Sequence, residues 1–311
     1  MIYDLIIVGG GPAGAAATVY AARKRLKTIF LTKEWGGQSV VSPDIQNWIG
    51  TQSISGEELA KKLREHVESY KGEFLEIISP AHAVSLSPSD DKVSIETEDG
   101  KTFEAKTLLI TTGADRRKLK VPGAAEFDQK GLTYCASCDG PLFADKDVVV
   151  IGGGNAGFET AAQLLAYTKS VTLLDNGPEF RADEITVNKV LNNQKMKAMN
   201  NAETLEVLGD KFVTGLRYKD TESGEEHTLD IQGVFVEIGL VPSTDWVDDA
   251  IELTERKQIV VDPKDQQTSH PRIWAAGDAT NGLYHQNNIA AGDAIKALED
   301  IYNFLHASKK K

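Results

Sequence analysis

Two cysteines are all that this 311-residue chain contains, and they stand together in Cys135-Ala136-Ser137-Cys138-Asp139. A structural disulfide across so short a loop restrains little of the unfolded chain. A zinc ribbon needs a second Cys or His pair, whereas the six histidines are scattered. The chemistry that remains is that of a redox dithiol. One thiolate attacks a disulfide, its partner resolves the intermediate, and Asp139 is close enough in sequence to move protons. The plain alternative for an isolated Cys-x-x-Cys is a chance pair, so the flanking elements must decide.

Those elements come in two similar sets. In the first, residues 4–8 read as a short apolar strand, followed by Gly9-Gly10-Gly11-Pro12-Ala13-Gly14 and a small-residue helix over 15–25. Gly9, Gly11 and Gly14 fill a G-x-G-x-x-G pattern. Its glycines serve a tight turn, close approach to a pyrophosphate and close packing of helix on strand. The helix N-terminus offers free N–H groups to phosphates. A second strand, 28–32, ends near Glu34, where a ribose-binding acid belongs. The competing reading is a Gly-rich turn without a ligand. Gly36-Gly37-Gln38 and Asp44-Ile45-Gln46-Asn47-Trp48 follow; backbone bared by paired glycines beside an amide suits a flat ring system. Ser55 and Glu58 predict a capping box opening a helix to about Tyr70, with Leu59, Leu63 and Val67 on its core face. Residues 81–112 read as a β-meander with an Asp99-Gly100 turn, closing on Thr112-Gly113.

After the Cys135–Asp139 stretch, read as a loop, the opening pattern returns. Residues 147–151 form a strand, and Gly152-Gly153-Gly154-Asn155-Ala156-Gly157 repeats the fingerprint. A helix over 158–167, a strand over 170–174 and a second meander with a Ser223-Gly224 turn complete the repeat. Two dinucleotide sites in one chain imply electron transfer between two nucleotides. The strand ends in Asp175, where a carboxylate can bind both ribose hydroxyls of NAD and repel a 2′-phosphate. Asn176 and Gly177 add no basic pair and Arg181 is the nearest cation, so NADH is favoured over NADPH. The alternative is an Asp that ends a strand in solvent. Residues 245–311 repeat neither unit. Ile273-Trp274-Ala275-Ala276-Gly277-Asp278 reads as a strand ending in a polyol-binding Gly-Asp. Tyr284-His285-Gln286-Asn287 then opens a helix to about Leu305, with His285 a hydrogen-bonding residue rather than a catalyst. A helix N-terminus there stabilises negative charge on a reduced ring.

Composition sets limits. The chain is 41% hydrophobic and 26% charged, enough for well-packed cores, and its length suits two domains. A net charge of −12 argues against nucleic acid or anionic membrane as partner, and Lys309-Lys310-Lys311 reads as a solvated tail. No apolar run approaches the ~20 residues of a membrane span. No signal-peptide pattern opens the chain, so a cytoplasmic setting is expected.

The ordered set of Gly9–Gly14, Gly36-Gly37-Gln38, Thr112-Gly113, Cys135–Asp139, Gly152–Gly157, Gly277-Asp278 and Gln286 resembles the low-molecular-weight thioredoxin reductases, class II pyridine nucleotide-disulfide oxidoreductases. The resemblance covers nearly the whole chain. It implies an α/β fold of two Rossmann-like three-layer nucleotide-binding domains, with a nicotinamide domain (115–244) inserted in an FAD domain (1–114 and 245–311). It also implies a homodimer, no metal, and rotation of the inserted domain between two states. Its expected FAD residues are Gly9, Gly11, Pro12, Ala13, Gly14, Glu34, Gly37, Gln38, Asn47, Thr112, Gly113, Gly277, Asp278, His285, Gln286 and Asn287. The nicotinamide set is Gly152, Gly154, Asn155, Ala156, Gly157, Asp175 and Arg181. By the same resemblance Cys138 faces the flavin, Cys135 attacks the acceptor and Asp139 is the acid or base.

Two departures bear on function. NADPH-using thioredoxin reductases carry His-Arg-Arg where this chain has Asp175-Asn176-Gly177, and often Ala at the Gly157 position. The stretch from Leu173 to Glu179 more closely resembles the NADH-using flavoprotein component of alkyl hydroperoxide reductase. That component has its own N-terminal thioredoxin-like domain, whereas the FAD fingerprint here starts at Gly9. The expectation is a reductase core that hands electrons to a separate thioredoxin- or glutaredoxin-like protein. An NADH oxidase or peroxiredoxin-system reductase, a ferredoxin- or flavodoxin-fed reductase, and a redox-responsive binding protein stand as alternatives.

Overall fold

Strand β1 (Tyr3–Gly10) sends Leu5 and Ile7 into one apolar core and Ile6 and Val8 into another. A strand covered on both faces is an apolar run, and such strands assemble in parallel sheets. The computed structural model describes residues 2–42 and 45–307 and builds this pattern twice. Asp44 and the lysine tail lie outside the described residues.

After β1 come α1 (Pro12–Arg23), β2 (Thr28–Trp35), a 3₁₀ turn (Gly37–Val41), α2 (Gly56–Glu68) and β3 (Leu75–Ile78). The meander is β4 (Ala83–Pro88), β5 (Val93–Thr97) and β6 (Thr102–Ile110). Next are β7 (Ala114–Arg116), β8 (Leu132–Thr133), the short helix α3 (Ala136–Asp139), β9 (Asp147–Ile151) and α4 (Asn155–Leu164). Then come β10 (Ser170–Leu174), α5 (Glu184–Leu191), β11 (Met196–Met199), β12 (Ala202–Gly209), β13 (Val213–Asp220) and β14 (Glu226–Asp230). Strands β15 (Gly233–Val236), β16 (Leu240–Pro242) and β17 (Ile273–Ala275) and helix α6 (Asn287–Ala307) follow.

The chain divides into two compact units. The first holds the described residues of Met1–Val41, Ile45–Asp115 and Val241–Lys311. Its sheet runs β3-β2-β1-β6-β5-β4, with β17 also paired to β6. Strands β1, β2, β3, β6 and β17 are parallel, and β4 and β5 are antiparallel. Helices α1 and α6 cover one face through Ala17, Ala21, Ala294 and Ala297, side chains small enough for close approach. Trp246, Val247 and Ile259 close the other face.

The second unit takes in Arg116–Leu240. Its parallel sheet runs β11-β10-β9-β15-β8 beside an antiparallel sheet β12-β13-β14. Phe158, Ala161 and Leu164 of α4 pack on Val148, Val150 and Leu173. On the opposite face Val149, Ile151 and Val234 meet Val207, Leu216 and Tyr218 of the antiparallel sheet. Helices, parallel sheet and antiparallel sheet thus form three layers, and the fold is α/β. Strand order reverses between β1 and β6 and between β9 and β15, which opens a crevice at the strands' C-terminal ends.

The structure departs from the sequence reading at several points. Helices α1 and α4 begin at Pro12 and Asn155 rather than at residues 15 and 158. Helix α5 and strand β11 were not anticipated, because α5 is held by its Asp183 cap and one buried residue, Val190, and so shows little periodicity. The Cys135–Asp139 stretch is a helical turn rather than a loop. Ser55 caps α2 by accepting the Glu58 N–H at 3.2 Å, while the Glu58 side chain pairs with Lys62 at 3.4 Å.

Candidate active site

The two glycine loops share one backbone design. Gly9 and Gly152 both adopt φ +121°, a region that side-chain-bearing residues rarely enter. A Cβ on Gly9 would lie 2.2 Å from the Thr111 carbonyl oxygen, and one on Gly152 would lie 2.3 Å from that of Glu237. At Gly11 and Gly154, by contrast, a Cβ would meet nothing within 4 Å. These two glycines are the N-caps of α1 and α4, and neither helix has a side-chain cap or an acid in its first turn. Helices α2 and α5 are capped by Ser55 and Asp183. The uncapped N–H groups of α1 and α4 are therefore free to bind an anion such as a pyrophosphate.

A cavity of about 530 Å³ adjoins the first loop. Gly9, Gly11, Pro12 and Ala13 line it, with Glu34, Gly37 and Gln38 from the end of β2 onward. Thr112 and Gly113 after β6, Gly277 and Asp278 after β17, and Asn287 at the head of α6 complete the expected set within its wall. Gly14 lies beneath: its Cβ would fall 1.8 Å from the Gly9 carbonyl oxygen. Asn47 and Gln286 stand outside the cavity wall and bond to each other, Asn47 Nδ2 donating to Gln286 Oε1 at 3.2 Å. His285 Nδ1 lies 3.4 Å from Asp278 Oδ1, the partner expected of a hydrogen-bonding histidine. Ser39 and Asp115, missed by sequence reasoning, also line the cavity and fasten expected residues. Ser39 Oγ donates to Asn287 Oδ1 at 2.9 Å, and Gln38 Nε2 donates to Asp115 Oδ1 at 2.7 Å. A larger cavity of about 730 Å³, around Ile251 and Leu253, includes none of the glycine-loop residues.

The second loop is strapped down. Asp175 is only 2% exposed, and its Oδ1 accepts the Gly153 N–H at 2.8 Å while Oδ2 accepts the Gly177 N–H at 3.2 Å. The carboxylate expected at a ribose thus faces its own loop. The Arg181 N–H donates to the Gly153 carbonyl at 2.9 Å, and the Asp183 N–H donates to Asn155 Oδ1 at 2.8 Å. The Arg181 guanidinium, 77% exposed, sits 3.7 Å from Asp175 Oδ1. Gly157 repeats the role of Gly14, with a Cβ 1.8 Å from the Gly152 carbonyl oxygen, while Ala156 is exposed beside it.

Cys135 and Cys138 form a disulfide on α3. Cys135 caps the helix, its Sγ accepting the Cys138 N–H at 3.2 Å. Asp139 closes the same turn and is 5% exposed. Its Oδ2 accepts a hydrogen bond from the Thr133 hydroxyl, and Oδ1 is buried without a hydrogen-bond partner. Burial pushes the Asp139 carboxyl above the usual carboxylate range, while the Thr133 hydrogen bond and the Arg116 charge pull it partly back.

Sequence reasoning also missed a half-buried acid. Glu237, directly after β15, accepts from Thr160 Oγ1 at 2.9 Å and lies 3.7 Å from Arg116 Nη1. Desolvation raises its pKa against the pull of Arg116. An acid ending the apolar run Gly233–Val236 is the signal the sequence offers for it.

The family model described as pyridine nucleotide-disulphide oxidoreductase matches residues 3–294. The chain belongs to this family. It is 40% identical over 303 residues to a Bacillus subtilis (strain 168) NADH dehydrogenase, covering 97% of this chain and 58% of that protein. It is 39% identical over 303 residues to an alkyl hydroperoxide reductase component of Staphylococcus aureus (strain NCTC 8325 / PS 47), covering 97% and 59%. The chain therefore spans less than two thirds of these relatives. Thioredoxin reductase from Streptococcus pyogenes MGAS5005 superposes with a TM-score of 0.89 at 33% identity, over 98% of this chain and 99% of that one. The chain thus resembles thioredoxin reductases in fold and belongs to a family that binds FAD and a pyridine nucleotide. The first loop fits an FAD: bare α1 N–H groups for a pyrophosphate, an acid at the end of β2, and open backbone at Gly11. Among the described residues no helix is long and apolar enough to cross a membrane.

Proposed function

We propose that this chain is a disulfide reductase that takes electrons from NADH, through bound FAD and the Cys135–Cys138 pair, to a thioredoxin- or glutaredoxin-like protein. One observation carries this reading: a Cys135–Cys138 disulfide and a buried Asp139 share one helical turn, in the unit that holds the second glycine loop. The working form in this reading is a cytoplasmic homodimer.

Bound FAD supplies a two-electron carrier between nicotinamide and disulfide. The N–H groups of α1 would hold its pyrophosphate and Glu34 its ribose, with Gly37, Gln38 and the head of α6 available to its ring and Asn47 bracing Gln286 behind them. The N–H groups of α4, with Gly154, Asn155 and Ala156, hold the nicotinamide dinucleotide. Two electrons cleave the S–S bond, and the resulting dithiol takes up two protons, one of them through Asp139. Cys135 then attacks the acceptor disulfide, and Cys138 displaces the acceptor's second sulfur as the enzyme disulfide re-forms. In balance, NADH, one proton and the acceptor disulfide give NAD⁺ and the acceptor dithiol.

The NADH preference rests on charge. A 2′-phosphate entering beside Asp175 must compete with that carboxylate for Arg181, whereas NADH brings no second anion. The Bacillus subtilis relative named NADH dehydrogenase agrees with this choice. A peroxidase-type thiol protein as acceptor is the second reading, favoured by the likeness to the alkyl hydroperoxide reductase component.

Anaerobic titration of the flavin-loaded protein with NADH and with NADPH, followed by addition of a disulfide carrier, tests the proposal. Cys138→Ser is expected to leave flavin bleaching by NADH intact and to abolish carrier reduction. Carrier turnover that survives this substitution defeats the dithiol assignment.

A further inference from the structure

Hydrogen bonds link the Asp139 side chain to the Cys135 backbone N–H through a residue that the reaction scheme does not use. Thr133 ends β8 and is 3% exposed. Its backbone is held in register with Phe235 of β15, so its side chain starts from a fixed point. The hydroxyl has two partners: Oγ1 accepts the Cys135 N–H at 3.2 Å and donates to Asp139 Oδ2. A hydroxyl owns a single proton. With the Cys135 N–H directed at the hydroxyl oxygen, that proton is committed to Oδ2. Protonating Oδ2 would set one O–H against another. The other oxygen, Oδ1, is buried and has no hydrogen-bond partner. An unpartnered oxygen of a buried carboxylate is costly to keep charged, and a proton on it removes that charge.

We propose that Thr133 is the positioning residue of the dithiol site, holding Asp139 by Oδ2 so that Oδ1 is the atom that exchanges a proton with the cysteine pair. This rests on the reading of Asp139 as the site's acid or base. The charged groups that face Asp139 are Arg116 of β7, which favours the carboxylate, and Asp128 from the segment before β8, which opposes it. Arg116 divides its charge with Glu237, so the Thr133 hydroxyl is the largest single influence opposing desolvation. Removing that donor withdraws a hydrogen bond to the charged form, and the Asp139 proton is then retained to higher pH.

The test uses flavin-loaded protein reduced by dithiothreitol, desalted, and mixed with 5,5′-dithiobis(2-nitrobenzoic acid), with single-turnover exchange followed from about pH 5 to about pH 10. Asp139→Asn identifies the limb of the profile that belongs to Asp139. Thr133→Val, which keeps the shape and removes the hydroxyl, is expected to move that limb upward by about one pH unit or more. Thr133→Ser is expected to return it to the wild-type position. Flavin content reports the fold, and Thr133→Ala against Thr133→Ser makes the same comparison without valine in β8. A limb that vanishes in Asp139→Asn but stays put in Thr133→Val and Thr133→Ala overturns the inference alone. A limb that persists in Asp139→Asn overturns the acid–base reading as well.

Discussion

The two glycine loops have the same backbone and opposite acids. In both, the first glycine takes φ +121° and the last lies against the first one's carbonyl oxygen at a virtual Cβ distance of 1.8 Å. They part at the middle glycine. A Cβ on Gly10 would strike the Glu34 main-chain oxygen at 2.2 Å, leaving the Glu34 side chain exposed at the cavity. A Cβ on Gly153 would strike the Asp175 side chain itself, 2.7 Å from Cβ and Cγ. One acid is exposed at the cavity and the other is consumed by the loop. The lesson is that the fingerprint specifies a phosphate-binding turn, whereas the acid's role depends on what lies over it.

The most severe way to break this comparison is to fill its shared contact. Gly14→Ala forces a backbone shift, expected to cost about 2–4 kcal/mol. Gly157→Ala, the residue thioredoxin reductases often carry at that position, is expected to cost nearer about 1 kcal/mol. Gly14→Ala is the worse of the two, since its Cβ also meets Thr111 Oγ1 at 2.8 Å, while the Gly157 Cβ finds Leu173 Cδ1 at a comfortable 3.7 Å. Urea unfolding and flavin content measure both. Gly14→Ala is expected to release flavin, and Gly157→Ala to keep it but resist bleaching by NADH. The reverse pattern would exchange the two nucleotide assignments.

A smaller effect separates the acids. Asp175→Asn places an amide N–H₂ opposite the N–H of either Gly153 or Gly177, and loss of one charged hydrogen bond costs about 1.5–3 kcal/mol. The slackened loop is expected to weaken NADH binding, and NADPH binding less, because the neutral amide no longer competes with a 2′-phosphate for Arg181. Should stability hold while NADH alone binds more weakly, Asp175 must turn outward to the ribose, and the contrast with Glu34 disappears.

How much of this was legible in the sequence follows from the range of each interaction. The turns at Gly9 and Gly152 are local, so glycine spacing revealed them together with the strands and helices on either side. The cavity residues Gly37, Gln38, Thr112, Gly113, Gly277 and Asn287 were readable through resemblance, because short motifs at strand ends place them. The fate of Asp175 was not legible: it needs the Gly177 turn and the Arg181 N–H bonded to Gly153, contacts that strand-end position does not encode. Thr133 escapes for a similar reason. Its bond to Asp139 spans a strand end and a helical turn, and in sequence alone that turn reads as a loop.

The finest test falls on Glu34. Its side chain is exposed, and it is the residue's carbonyl oxygen that accepts from Thr32 Oγ1 and contacts Gly10. The fold therefore makes little use of the carboxylate, and Glu34→Gln is expected to change the unfolding free energy of the flavin-free protein by less than about 0.5 kcal/mol. The same substitution removes charge from any hydrogen bond to a ribose hydroxyl, and charged hydrogen bonds are roughly twice as strong as neutral ones. Flavin dissociation on dilution, read by the recovery of flavin fluorescence, should accordingly tighten or loosen with the charge: Glu34→Gln is expected to raise the dissociation constant about two- to tenfold, and Glu34→Asp to fall between. An unchanged dissociation constant removes Glu34 from the ribose site. A loss of stability as large as that of Asp175→Asn makes Glu34 a brace as well, and the two loops then differ in wording but not in physics.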